Sequence, residues 1–201
     1  MILRSVLLRA LVGGLLVLGL CACFSKQEPG KAASADLDSL GGKDVPYITT
    51  PQRVVERMLA MAEVSSDDVV YDLGSGDGRF VITAAQQFGA RGVGVEIDAQ
   101  LVRVARSNAG LAGVADRVEF RRGNLFDVDL REATVVTLYL EPDLNRRLRP
   151  KLLRQLEPGD RVVSHQFDMG GWAADRVVQL GSSTIYLWQI PRSVPDSLLR
   201  K

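Results

Sequence analysis

The sequence predicts an α/β protein with a doubly wound, mostly parallel, seven-stranded sheet that ends in an antiparallel hairpin. Three observations support this. Short apolar runs alternate with stretches of helical period across residues 50–190, the pattern of parallel strands joined by crossover helices. The first run ends in Asp72-Leu73-Gly74-Ser75-Gly76-Asp77-Gly78, a turn with glycine at alternate positions where bare backbone can approach a ligand. The last two runs, 175–180 and 184–190, are separated only by Gly181-Ser182-Ser183, a hairpin spacing.

The elements follow in order. Thr50 before Pro51 reads as an N-cap with proline at the first helical position. Val54, Val55, Met58, Leu59 and Ala62 then form a helical stripe over 54–62. The first strand is 68–72, and a helix over 79–88 carries Phe80, Ile82 and Ala84. The second strand is 92–97. Asp98 caps a helix from 99 to about 110 with the stripe Leu101, Val102, Ala105 and Ala109. The third strand is 118–121. The fourth, 133–140, is a continuous apolar run that reads as buried on both faces. Pro142 opens a helix that ends near Leu156, before Pro158-Gly159, and the fifth strand is 161–167.

The chain has 201 residues, 46% hydrophobic and 24% charged, with a net charge of +1. That charge points away from a nucleic-acid partner. The only cysteines are Cys21 and Cys23, and the only histidine is His165. The folded region therefore offers no cysteine nucleophile and no histidine-based metal cluster, so no metal is expected.

Four regions are expected. Residues 1–23 are a signal peptide or membrane anchor, with Arg4 and Arg9 ahead of an uncharged stretch rich in Leu, Val and Gly. Residues 24–45 form a polar linker without helical or strand period. Residues 46–191 are the folded domain that carries the strand and helix pattern, and 192–201 a C-terminal tail. Leu20-Cys21-Ala22-Cys23 resembles a bacterial lipobox, which would make Cys23 the lipidated first residue of an exported, membrane-associated protein. An uncleaved anchor and a mitochondrial presequence are the alternatives.

The glycine turn selects a ligand class. It is neither G-x-G-x-x-G nor a P-loop, and an acid, Asp72, stands two residues before the first glycine. A carboxylate there repels phosphate and attracts an ammonium group. Gly92-Val93-Gly94-Val95 ends at Glu96, placed to accept both hydroxyls of a ribose. A ligand with a cation, an amino-acid end and a ribose is S-adenosylmethionine. Asp72, Gly74, Ser75, Gly76, Gly78 and Glu96 are the leading cofactor residues, with Thr50, Ile97, Asn124 and Leu125 beside them. Glu96, Asn124, Tyr139 and His165 all fall at or after strand ends, where they converge on one crevice with Asp72.

At these motifs the sequence resembles the class I S-adenosylmethionine-dependent methyltransferases, whose fold is Rossmann-like. In that family an acid after the third strand accepts from the adenine amino group. Here Gly123-Asn124 takes its place, and the Asn124 amide oxygen can accept the same bond. Asp127 competes for that role. Further pieces resemble one branch, the ATP-synthase c-subunit lysine methyltransferases and their bacterial relatives: Thr50-Pro51, Leu138-Tyr139-Leu140, Leu148-Arg149-Pro150-Lys151-Leu152 and Val163-Ser164-His165-Gln166-Phe167. The resemblance covers about residues 45–172. It implies that Tyr139, Glu141 and Pro142 line the acceptor pocket and that the acceptor is a protein lysine.

Two other readings stand beside this one: methylation of a small molecule, and a membrane-tethered module that binds without turnover. Tyr139 also reads as a core aromatic, Glu141 as a first-turn acid favoured by the helix dipole, and His165 as a hydrogen-bonded structural group. Arg146, Arg147, Arg149, Lys151 and Arg154 read as a solvated basic face, or as a contact for anionic lipid or an acidic partner. Trp172 and Trp188 read as core. One conflict stands: the cofactor is made in the cytosol, whereas the signal directs export.

Overall fold

The computed structural model describes residues 49–199. The signal or anchor, the linker and the last two residues lie outside the described residues. The order of elements is α1 (Gln52–Met61), β1 (Val69–Leu73), α2 (Arg79–Phe88), β2 (Arg91–Glu96), α3 (Ala99–Leu111), β3 (Val118–Arg122), β4 (Val135–Leu138), α4 (Pro142–Gln155), β5 (Arg161–His165), β6 (Arg176–Leu180) and β7 (Ser183–Gln189), followed by a 3-10 turn at Asp196–Leu198.

The seven strands form one sheet in the order β3-β2-β1-β4-β5-β7-β6. The first five are parallel to one another, and β7 runs antiparallel between β5 and β6. The chain order reverses between β1 and β4, so the crevice opens at the carboxyl ends of those two strands.

All five residues of β1 are buried, as expected of a strand covered on both faces. Val70 belongs to the buried cluster on one face of the sheet, with Val55 of α1, Val81 of α2 and Val102 of α3. Tyr71 and Leu73 belong to the cluster on the other face, with Leu148 and Leu152 of α4. Trp188 is fully buried, and its Nε1 donates to the Trp172 carbonyl at 2.9 Å.

Four expectations need correction. Thr50 is not the N-cap of α1. Pro51 holds that position, its carbonyl accepts from the N–H groups of Val54 and Val55, and the Thr50 hydroxyl turns to His165 instead. The fourth strand is only Val135–Leu138, because the chain leaves the sheet before Pro142 begins α4. The fifth ends at His165, where Gln166 takes φ 70°. The basic face of α4 is not a single surface, because Arg149 is buried and donates to the carbonyls of Met169 and Leu198. Asp98 does cap α3, accepting from the Gln100 N–H at 2.8 Å.

Glycines on β2 let the layers close. A Cβ on Gly92 would lie 2.6 Å from Cβ of Val81 on α2. Gly92→Ala is therefore expected to lower stability by roughly 1–3 kcal/mol through overpacking, measured as a lower urea midpoint with an unchanged slope.

Candidate functional site: a crevice at the carboxyl ends of the parallel strands

The glycine turn is built from left-handed backbone. Gly74, Gly76 and Gly78 have φ of 87°, 52° and 85°, a region that disfavours side chains. The turn is pinned to the end of β2: the N–H groups of Gly74 and Ser75 both donate to the Val95 carbonyl, at 2.8 and 3.0 Å. Glu96 completes the joint. One carboxylate oxygen accepts from Gly76 N–H at 2.9 Å and the other from Asp98 N–H at 2.9 Å. Each oxygen keeps a lone pair for a further donor, so Glu96 both shapes the turn and presents acceptors to the crevice.

Asp72 is 3% exposed. Its cross-strand neighbour Thr137 donates a hydroxyl hydrogen bond to it at 2.7 Å. Burial pushes the Asp72 carboxyl up to about 7, and the negative charges of Asp77 and Glu96 push the same way, outweighing Thr137 and Arg79. A buried carboxyl without a paired cation favours a ligand that brings one. Ser75 points the same way, since its Oγ is buried with no hydrogen-bond partner among the described residues.

The neighbouring strand ends supply different chemistry. Ile97 is 65% exposed directly after Glu96, and Leu125 is half-buried after β3. They offer apolar contact for a flat group. Asn124 is exposed, and its Oδ1 accepts from Phe126 N–H at 3.0 Å, leaving one lone pair. Asp127 is exposed in the same loop.

On the far side, at the ends of β4 and β5, aromatic side chains gather. The Tyr139 ring lies 4.3 Å from the His165 ring and 6.4 Å from the Phe167 ring, centre to centre. His165 is buried, which holds its pKa below the ordinary value, and its Nδ1 is 3.1 Å from Thr50 Oγ1. Glu141 is exposed and Pro142 half-buried at the start of α4.

The structure thus brings Asp72, the glycine turn, Glu96, Ile97, Asn124 and Leu125 to one rim, with Tyr139, Glu141 and Pro142 at the adjoining strand end. Thr50 lies further back. Its hydroxyl meets His165, and its carbonyl accepts from Arg79 at 2.7 Å; Arg79 is in turn paired with Asp77.

Two residues escaped the sequence reading. Thr137 is a polar residue inside the apolar run of β4, directly opposite Asp72, and that interruption was the available signal. Asn145 interrupts the apolar stripe of α4. Its Nδ2 lies within reach of the Phe167 and Asp168 carbonyls, both at 3.2 Å, so it holds the loop that carries Phe167. Among the described residues no group of three metal-ligating side chains is present.

Comparison with known proteins identifies the family. Residues 72–176 match the ANTKMT methyltransferase domain. A protein-lysine N-methyltransferase of Saccharolobus islandicus is 48% identical over 151 residues, covering 73% of this chain and 94% of that protein. The chain belongs to the ANTKMT methyltransferase domain family. The mouse adenine nucleotide translocase lysine N-methyltransferase is 37% identical, covering 75% of this chain and 66% of its own length. A crystal structure described as an RNA methyltransferase of Salinibacter ruber, in complex with S-adenosylhomocysteine, is 61% identical with a TM-score of 0.74. It covers 75% of this chain and 99% of that one.

The raised Asp72 pKa has a measurable consequence. Its ordinary value is 3.8 and its folded value about 7. The folded state holds the proton longer than the unfolded state, so this group's contribution to stability falls as pH rises from about 4 to 7 and is flat above. Each unit corresponds to about 1.4 kcal/mol. Asp72→Asn is expected to raise the melting temperature at pH 8 while weakening S-adenosylhomocysteine binding at least roughly tenfold. Calorimetry of the unaltered chain near pH 6, in two buffers of different ionisation enthalpy, is expected to show proton release on binding. Equal heats in both would remove this role from Asp72.

Proposed function

We propose that this chain is an S-adenosylmethionine-dependent protein-lysine N-methyltransferase, tethered to a membrane through its N-terminal segment. The observation that carries the cofactor half is the buried Asp72 carboxyl beside a turn of left-handed glycines. The protein-lysine half is supported by the substrates named for the relatives and by the character of the crevice at β4.

The cofactor supplies a methyl group already activated on a positively charged sulfur. The chain's work is therefore binding, orientation and exclusion of water. Asp72 neutralises the ammonium of the amino-acid end, Glu96 accepts from the ribose hydroxyls, and Ile97, Leu125 and Asn124 receive the adenine. Ser75 offers its buried hydroxyl, and Gly74, Gly76 and Gly78 let backbone close on the ligand.

A lysine must reach the site without its extra proton. Tyr139, Phe167 and His165 present a largely apolar wall, which disfavours the charged amine. Burial favours the neutral form of His165, which suits a wall that disfavours a second cation. Glu141, exposed at the mouth, attracts the lysine from solvent.

The relative described as an RNA methyltransferase makes RNA the second reading. The loop after β4 reads Tyr139-Leu140-Glu141-Pro142 rather than Asn-Pro-Pro-aromatic, and its one charge is acidic. Both features favour an amine acceptor over a nucleic-acid base.

Membrane tethering rests on Leu20-Cys21-Ala22-Cys23 and the apolar stretch before it. Mass spectrometry of the mature N-terminus separates its two forms: an acylated Cys23 supports lipidation, and an intact Met1 refutes lipidation and leaves the uncleaved anchor.

Methyl-labelled cofactor with membrane extract is expected to label a protein band that resists ribonuclease and is lost to protease. Label in RNA would overturn the lysine assignment. Tyr139→Ala is expected to lower turnover by roughly two orders of magnitude, a loss of acceptor positioning, with S-adenosylhomocysteine affinity unchanged.

A further inference from the structure

A second concave surface lies away from the methyl-transfer end. Parallel strands are usually joined through a helix, yet residues 123–134 cross from β3 to β4 without one. The space beside that segment is a cavity of about 420 Å³ against α4, lined by Asn124, Phe126, Arg147, Pro150, Lys151 and Arg154. That volume suits a small ligand.

The charge of the cavity has one sign. Arg147, Lys151 and Arg154 are all cationic, and no carboxylate lines the space. Each is positioned by a neutral group. Lys151 Nζ donates to the Phe126 carbonyl at 2.8 Å, the Arg147 guanidinium lies 4.4 Å from the centre of the Phe126 ring, and Arg154 donates to the Leu199 carbonyl at 3.1 Å. None of the three forms an ion pair among the described residues. The acid that feels Lys151 is Asp129, which is already paired with Arg131; that side chain, ahead of the Arg131 N–H and Lys151, holds it down at about 2.

Spacings of four and three residues put these like charges side by side on α4, where they repel. An anion removes that repulsion. Arginine forks match phosphate oxygens two at a time, while Phe126 and Pro150 form an apolar wall.

We propose that this cavity binds a ligand carrying two or more phosphate groups. Binding there is coupled to the cofactor crevice through one short path. Lys151 and Arg147 hold Phe126, and the Phe126 N–H donates to Asn124 Oδ1 at 3.0 Å. Asn124 belongs to both the cavity lining and the adenine end of the crevice. An anion that fixes Lys151 and Arg147 therefore fixes the loop that receives adenine.

The test uses the full chain and tripolyphosphate, which has no adenine and so avoids the cofactor crevice. Calorimetry at fixed ionic strength is expected to give saturable one-to-one binding. The double variant Arg147→Gln, Arg154→Gln, which leaves Asn124 and Phe126 in place, is expected to bind at least roughly tenfold more weakly with an unchanged melting temperature. Saturating tripolyphosphate is expected to tighten S-adenosylhomocysteine by roughly fivefold or more, and the converse by the same factor, as linkage requires.

Flotation with phosphatidylcholine vesicles, with and without a phosphatidylinositol phosphate, separates the sources. Capture that depends on the two arginines assigns the phosphates to a lipid headgroup, and binding of tripolyphosphate alone assigns them to a soluble ligand. Three results overturn the proposal: no binding in either arm, equal binding by sulfate or a hexaglutamate peptide, or equal binding by the double variant.

Discussion

The site depends on a carboxyl buried without a cation of its own. Strand β1 is bracketed by two acids, and their surroundings differ. Burial pushes Asp68 up, but Thr134, the Ser65 N–H and Arg161 together outweigh it and leave that carboxyl below its ordinary range. At the other end of the strand Asp72 has one hydroxyl donor and two acidic neighbours, and it stays high. Asp68 is stabilised within the chain and fastens β1 to β5. Asp72 carries an electrostatic cost that a cationic ligand offsets. Strain of this kind persists only where surrounding structure over-determines it, and here both faces of β1 are packed by helices.

Glu96 shows why the crevice has a fixed shape before any ligand arrives. A carboxylate at the end of a strand would ordinarily turn to water. Here each oxygen is tied to a backbone N–H, one in the glycine turn and one at the start of α3. The turn thus borrows its rigidity from the neighbouring strand rather than from its own side chains. Gly94 makes this approach possible, since a Cβ there would lie 2.6 Å from the Phe120 ring and 2.7 Å from Ser75 Oγ. Binding then requires little reorganisation, which favours tight recognition of the cofactor.

The parts of this protein that were legible in its sequence are those fixed by backbone and period. Alternation of strands and helices, the glycine turn, Glu96 and the Asp98 cap all depend on local residue type, and each sits where local chemistry puts it. The misread parts depend on partners distant in the chain. Thr50 looks like a cap because Thr-Pro usually is one; a histidine 115 positions away takes its hydroxyl. Arg149 looks like one of five surface cations because its helix is basic, yet carbonyls at Met169 and Leu198 draw it inside. The length of β4 was overestimated because an apolar run signals burial, not pairing, and Tyr139 and Leu140 are apolar outside the sheet.

The same division separates cofactor from acceptor. The proposed cofactor residues lie at strand ends and on a backbone turn, whose geometry is set by the sheet rather than by surface residues. The proposed acceptor residues Tyr139, Glu141 and Phe167 sit on segments just beyond β4 and β5, and a single side chain, Asn145, helps to hold the one after β5. Substitutions there cost the fold little and alter what can enter. Relatives at 48% and 61% identity carry different descriptions, one a protein-lysine methyltransferase and the other an RNA methyltransferase. Overall likeness therefore argues strongly for the methyl donor and weakly for the acceptor. The acceptor has to be argued from the loop itself, where a carboxylate beside a half-buried tyrosine suits an incoming ammonium better than a polyanion.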